Sequence, residues 1–338
     1  TAFIGRNGAG KTNILKAIKF ATKCLVDSQL SNDEINFNIS ITFSVGGVIY
    51  EYEIIGYTFL GFSEEMNFLE DGVRKILFSR NKKSLNIFNV DKELVIEGNS
   101  LSSFVIRALF PENLVSDILK HIFKFMNSIR YMDFLDNSKP SSVISRENLQ
   151  RWIMLNRNGD LNEDVIFKIL QMYFHDKDLF GELSSLLGGN GLGLLSHIGI
   201  ENLGNDFYVV YFYSSEGDEF VFNNLSFGTR RVVHLLTSML YDKASVALIE
   251  QPEDGIHPGL LQKIIQLLRD YANPNQFILT SHSPYVLNRL KPEEIRMVDM
   301  KEGKTRVRAL DAKEIEIAND FIENEGALSE FIDSIEEL

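Results

Sequence analysis

At 338 residues, with 44% hydrophobic and 24% charged side chains, the chain can bury a full core, either as one large domain or as a domain with an inserted lobe. Its single cysteine, Cys24, excludes an intramolecular disulfide framework, and no Cys/His cluster, signal peptide or long apolar run is present, so a cytoplasmic setting without membrane contact is expected. A net charge of -13 excludes a globally basic nucleic-acid binder, although one face or groove can still be positive.

The chain opens with Thr1-Ala2-Phe3-Ile4 directly before a Gly-rich loop, with no initiator Met, and reads as truncated at its N-terminus. Residues 2–4 read as the end of a buried strand. Residues 13–24 read as a helix with Ile14, Leu15, Ile18 and Ala21 on one face and Cys24 as inert core. From 35 to 45, Ile35, Phe37, Ile39, Ile41, Phe43 and Val45 alternate with polar residues, the period of a half-buried strand, and Gly46-Gly47 turns it into a second strand over 48–55. Turn signals at Asp71-Gly72 and Asn81-Lys82-Lys83 extend this into an antiparallel lobe.

Residues 112–187 switch to helical spacing, with Leu114, Ile118, Ile122 and Met126, then Val165, Ile166, Ile169 and Leu170, as apolar faces. Within this span Ile129-Arg130-Tyr131-Met132 is a candidate for the return from the lobe to the sheet. Gly188-Gly189-Asn190-Gly191-Leu192-Gly193 reads as a flexible connector and lacks the strand-to-helix context of a dinucleotide fingerprint. Strands follow over 206–213 and 220–222, then a helix with Val232, Leu235, Leu236 and Met239 inward. A strand over 246–249, a helix opening at Pro258, a strand over 277–280 and a hairpin at Glu302-Gly303 complete a mostly parallel sheet. The tail from Asp311 is acidic and helical, with Phe321, Ile322, Leu328, Phe331 and Ile332 as its apolar side and its charges as a solvated face.

Four motifs carry chemistry. Gly5-Arg6-Asn7-Gly8-Ala9-Gly10-Lys11-Thr12 matches the Walker A pattern between a strand and a helix. Backbone N–H groups of such a loop cradle phosphates at a helix N-terminus, Lys11 reaches the β- and γ-phosphates of ATP, and Thr12 ligates Mg²⁺. Leu225-Ser226-Phe227-Gly228-Thr229-Arg230 resembles the ABC signature, with Phe227 where Gly is usual. In Val246-Ala247-Leu248-Ile249-Glu250 an apolar strand ends in an acid, Glu250, suited to hold Mg²⁺ directly or through water. Phe277-Ile278-Leu279-Thr280-Ser281-His282 has the form of the switch strand, whose terminal His reaches the γ-phosphate.

Together these motifs resemble an ABC-type ATPase of the SMC/RecF/OLD branch, in particular the AAA15/OLD-like bacterial group, over nearly the whole chain. The resemblance implies an α/β fold: a P-loop NTPase, an ABC ATPase head with an antiparallel β lobe and an inserted helical lobe. It divides the chain into a Walker A half with β lobe (1–111), a helical lobe (112–193), a signature, Walker B and switch half (194–310) and an acidic helical tail (311–338). It further implies that Arg6, Asn7, Gly8, Ala9, Gly10, Lys11 and Thr12 hold ATP, that Thr12 and Glu250 hold Mg²⁺, and that Ser226 and Gly228 contact the γ-phosphate on a second subunit. The implied assembly is a homodimer around two ATP, gating a nuclease or effector partner, or DNA, in phage defence or DNA repair.

One position departs from the pattern. The residue after the Walker B acid is usually the Glu that orients the attacking water, and here it is Gln251. A neutral amide positions water but cannot accept its proton. Either Glu253 supplies the carboxylate, beside Lys11, Gln251 and His282 as the catalytic set, or hydrolysis is slow and ATP mainly locks a dimeric scaffold. Arg230 and Arg231 stand open between charge near the phosphate and surface salt bridges, and Arg74, Lys75, Arg80, Lys82 and Lys83 between DNA contact and solvated hairpin edges. His257 is expected to cap the helix at Pro258.

Overall fold

A computed structural model describes residues 1–26, 37–57, 61–80, 84–87, 94–95, 117–132, 141–156 and 165–336. The chain divides into two compact units, Thr1–Leu15 with Arg130–Leu338, and Lys16–Ile129. Strand β1 (Ala2–Ile4) and helix α1 (Lys11–Val26) flank the Gly-rich loop, and α1 begins in the first unit and ends in the second.

The second unit is an antiparallel meander in which β2 (Phe37–Val45), β3 (Val48–Tyr57), β4 (Gly61–Glu70), β5 (Val73–Arg80), β6 (Ser84–Ile87) and β7 (Leu94–Val95) pair in chain order. Strict alternation along β2 half-buries its apolar face, as the period-2 pattern requires. Helix α2 (Asp117–Asn127) joins the same core through Leu119, Ile122 and Met126, with Cys24, Tyr52, Ile54, Met66 and Phe78. Ile118, expected inside, is 39% exposed. Steps of four residues drift by about 40° each at 3.6 residues per turn, so a 118-122-126 stripe leaves the axis of burial that 119, 122 and 126 share. Leu114 and the turn at Asn81-Lys82-Lys83 lie outside the described residues. Of the basic cluster in this unit, Arg74 pairs with Glu51 at 3.0 Å and Lys75 with Glu70, so both charges are already answered by acids.

Strand β8 (Ile129–Met132) starts on the last residue of the second unit, and the first unit resumes at its Arg130 and continues with β9 (Val143–Ser145) and helices α3 (Arg146–Asn156), α4 (Val165–His175) and α5 (Lys177–Leu187). Next come β10 (His197–Asn202), β11 (Phe207–Tyr213), β12 (Glu219–Val221), α6 (Phe227–Asp242), β13 (Val246–Glu250) and α7 (Pro258–Asp270). The unit closes with β14 (Gln276–Ser281), α8 (Pro284–Leu287), β15 (Ile295–Lys301), β16 (Lys304–Ala309), α9 (Ala312–Asn324) and α10 (Leu328–Glu336). Its main sheet has the order β16-β15-β1-β14-β13-β8. β1 runs parallel to β14 and β15, and β13 parallel to β14, while β16 folds back antiparallel. β10, β11, β12 and β9 form a smaller antiparallel sheet.

Helices α3 to α5, which the sequence places in an inserted lobe over 112–193, contribute Leu149, Ile169, Leu170, Leu183 and Leu187 to the same hydrophobic cluster as β13, β14 and α6. The compact units therefore cut the chain near residues 15 and 129. Lys168, 1% exposed, ties α4 to α6 by donating to Asp242 at 2.7 Å and to Ser238 at 3.0 Å. The glycine-rich stretch after α5, expected to be flexible, is a hydrogen-bonded turn: Leu192 N donates to Leu186 O at 2.7 Å and Gly193 N to Gly188 O at 2.8 Å, with Leu192 and Leu195 buried.

The acidic tail is docked as well as solvated. Ala318, Leu328, Phe331 and Ile332 are buried in the first unit's core, whereas Ile322 is 41% exposed. Asp311 caps α9, accepting from Glu314 N at 2.8 Å, while Glu314 answers on the Asp311 N–H at 2.8 Å. Asp311→Ala is expected to lower stability by about 1 kcal/mol, read as a shift in the urea midpoint at unchanged slope.

Candidate functional site

Walker A, the signature, Walker B and the switch all lie in the first unit. The sheet order places β14 between the Walker A strand β1 and the Walker B strand β13, so three loops issue from adjacent parallel strands. The crevice at the carboxyl ends of such strands is where open α/β sheets bind ligands.

In the Walker A loop, Arg6, Asn7 and Gly8 are exposed, Ala9 is buried, and Gly10 and Thr12 are half-buried. Gly10 has φ +96°, and a Cβ there would lie 2.0 Å from Thr305 Oγ1, so both backbone angle and space exclude a side chain. Lys11 is 6% exposed, and its ammonium donates to the carbonyls of Gly5 at 2.5 Å and Arg6 at 3.0 Å, which holds it along the inside of the loop. Thr12, at the first turn of α1, donates to Glu250 Oε1 at 2.5 Å. The two residues expected to share a metal are thus in direct contact across 238 positions of sequence.

Glu250 ends β13, whose four preceding residues are fully buried. Its other oxygen, Oε2, accepts from the Tyr131 hydroxyl on β8. Sequence reasoning had only the return of Ile129-Arg130-Tyr131-Met132 to the sheet as a signal here, and a lone tyrosine in a short strand carries no motif.

Gln251 adopts φ +41°, a left-handed conformation that costs a non-glycine residue roughly 1–2 kcal/mol. Its backbone is held by bonds from its N–H to Thr280 O at 3.1 Å and Thr280 Oγ1 at 3.2 Å, and by Arg231, which donates to the Gln251 carbonyl at 2.6 Å and to that of Glu250 at 3.4 Å. Arg231 is 5% exposed and its guanidinium lies 5.5 Å from the Phe227 ring centroid, so it is an internal brace, not a surface salt bridge.

Glu253 reaches from the same loop to the switch. Its Oε1 accepts from Ser281 Oγ at 2.7 Å and from the His282 N–H at 3.1 Å, and His282 Nδ1 stands 3.5 Å away. The Glu253 side chain is 8% exposed, and its Oε2 is buried with no hydrogen-bond partner among the described residues, whereas His282 is 43% exposed. A carboxylate oxygen buried without a donor costs on the order of 1–3 kcal/mol.

Ser226 is the exposed N-cap of α6, accepting from Thr229 N at 3.1 Å. Gly228 packs so closely on the Walker B loop that a Cβ would lie 2.3 Å from Gly255 O. The signature therefore rests on the loop that carries Gln251 and Glu253. His257 caps α7 as expected, with Nδ1 accepting from Gly259 N at 3.2 Å.

Residues 1–288 match the model of the family described as "AAA domain, putative AbiEii toxin, Type IV TA system". The chain belongs to this AAA family. Among solved structures it is similar to an SMC head bound to the C-terminal winged-helix domain of ScpA, at 15% identity and TM-score 0.50, covering 94% of this chain and 91% of that one. It is also similar to an SMC head with an extended coiled coil bound to the C-terminal domain of ScpA from Pyrococcus furiosus, at 13% identity and TM-score 0.48, covering 96% of this chain and 93% of that one. No curated protein sequence matches. The fold of this AAA family member is thus a P-loop ATPase fold of the SMC-head type, as the motifs implied. Among the described residues no helix is long and apolar enough to cross a membrane.

Proposed function

We propose that this chain binds ATP with Mg²⁺ at the Walker A loop, closes with a second copy around two nucleotides, and hydrolyses them to reopen. The observation that carries the reading is the meeting of Thr12 with Glu250 and of Glu253 with His282 on adjacent strand ends, beside the buried Lys11 ammonium. Lys11 supplies positive charge to the β- and γ-phosphates, and the N–H groups at the start of α1 face the same anion. Thr12 and Glu250 offer hard oxygens, one hydroxyl and one carboxylate, which fits a cation that keeps most of its shell for phosphate and water. When bound, that cation spreads the charge building on the transferred phosphoryl group.

Gln251 orients the attacking water through its amide, and Glu253 takes the proton that the amide cannot. His282, exposed at the end of β14, faces the γ-phosphate while Glu253 holds its backbone. Ser226 and the N–H groups behind it, exposed at the N-terminus of α6, meet the nucleotide of the second copy. Closure then depends on the difference between ATP and ADP, because only the γ-phosphate bridges the two surfaces.

The test of closure is sedimentation of the full chain with and without ATP. A shift from monomer to dimer is expected with Mg-ATP and not with ADP. Ser226→Arg is expected to weaken the dimer roughly 10-fold or more, because a bulky side chain replaces the hydroxyl at a contact that must be close. A dimer indifferent to nucleotide, or one unaffected by this substitution, would sink the sandwich.

The second reading, an ATP-gated scaffold with negligible turnover, rests on Gln251 itself. The partner gated by closure is, in this proposal, a nuclease or effector subunit in a defence or repair setting, a setting that accords with the toxin–antitoxin description of the family. DNA as the direct partner is the weaker choice, since Arg74 and Lys75 are already paired with acids.

A further inference from the structure

The carboxylate of Glu250 is gripped on both sides. Thr12 donates to Oε1 at 2.5 Å, and the Tyr131 hydroxyl donates to Oε2. These two donors differ in what happens when a cation arrives. Thr12 would offer a cation the same oxygen it uses against Glu250, so the proton it donates to Oε1 would have to turn away in exchange. Tyr131 holds the far oxygen, and a neutral phenol is a good hydrogen-bond donor that the exchange does not displace.

The position of Tyr131 is rigid. It is 7% exposed, and it sits on β8, which is hydrogen-bonded to β13, the strand that ends in Glu250. Donor and carboxylate are therefore carried by neighbouring strands of one sheet, although 119 residues separate them in sequence. A carboxylate on a freely rotating side chain would spend most of its time aimed elsewhere and would lose that freedom on binding a cation. With Oε2 held by Tyr131, Oε1 is directed at Thr12.

We infer that Tyr131 is a positioning residue for the metal, orienting the Glu250 carboxylate so that Glu250 and Thr12 receive a divalent cation without rearranging the strand end. The inference deepens the Mg-ATP reading above and rests on it. Tyr131 contributes nothing to the phosphates in this scheme, so its effect must vanish when the metal is removed.

The experiment compares the full wild-type chain with Tyr131→Phe, titrating a fluorescent ATP analogue at graded Mg²⁺ and again in EDTA, with Mn²⁺ binding followed by electron paramagnetic resonance. Phe keeps the ring and removes only the donor. The half-saturating Mg²⁺ concentration is expected to rise roughly 10-fold and the Mn²⁺ signal to shift alike, while affinity in EDTA stays within about twofold. An unchanged metal requirement overturns the inference, and so does an equal loss of affinity with and without metal, which would make Tyr131 a general support of the loop. Wild-type binding with a metal dependence that Tyr131→Phe leaves intact defeats this inference alone. A wild-type chain that binds no analogue in either condition defeats it together with the proposed function.

Discussion

Lys11→Ala is expected to weaken ATP binding by about 100-fold, measured by calorimetric titration of the full chain with Mg-ATP. A hydrogen bond to a charged partner contributes on the order of 1.5–3 kcal/mol, and the ammonium here would serve phosphate oxygens in a site where Lys11 is only 6% exposed. The loop itself is expected to survive. Gly5 and Arg6 lose a shared donor, but the turn keeps its own bond from Ala9 N to Arg6 O at 3.2 Å, and α1 keeps that from Ile14 N to Gly10 O at 3.2 Å. Affinity that persists in Lys11→Ala with an unchanged melting curve would mean that the nucleotide sits elsewhere.

Glu253→Gln is expected to lower kcat about 100-fold, with KM for ATP little changed, since general-base removal acts on the transition state and typically costs 10²–10⁴. The amide keeps the hydrogen-bonding shape of the carboxylate toward Ser281 and His282, so the substitution isolates proton acceptance from support of the switch. Gln251→Glu is expected to raise turnover, because it puts a carboxylate next to Glu250 where the ABC pattern has one. Wild-type turnover lost in Glu253→Gln supports hydrolysis with Glu253 as base. An ATP-stabilised dimer with no wild-type turnover, gaining activity only in Gln251→Glu, supports the scaffold reading.

The elements of this chain were legible wherever a pattern repeated within a few residues. Alternation over β2, the glycine turns at Gly46-Gly47 and Asp71-Gly72, and Pro258 at the opening of α7 all act through neighbours in sequence. The same reasoning failed at Ile118, where a four-residue stripe drifts around the helix, and at the turn after α5, where backbone bonds to Leu186 and Gly188 hold glycines that composition marks as flexible.

The sequence by itself determined the phosphate loop. The conformation of Gly5 to Thr12 depends on contiguous residues, on glycines able to take positive φ and on a lysine one turn into reach, so a contiguous pattern suffices to identify it. Only the tertiary structure decided which groups the remaining acids meet. The parallel register of β13 and β14 sets Glu250 beside Thr280, which brings Glu253 to Ser281 and His282, and the place of β8 next to β13 brings Tyr131 to Glu250. Hydrogen bonds act over about 3 Å, and partners separated by 28 to 119 residues come within that range only after the sheet has formed. Arg231, which linear pattern left between phosphate and solvent, became an internal brace of Gln251 for the same reason.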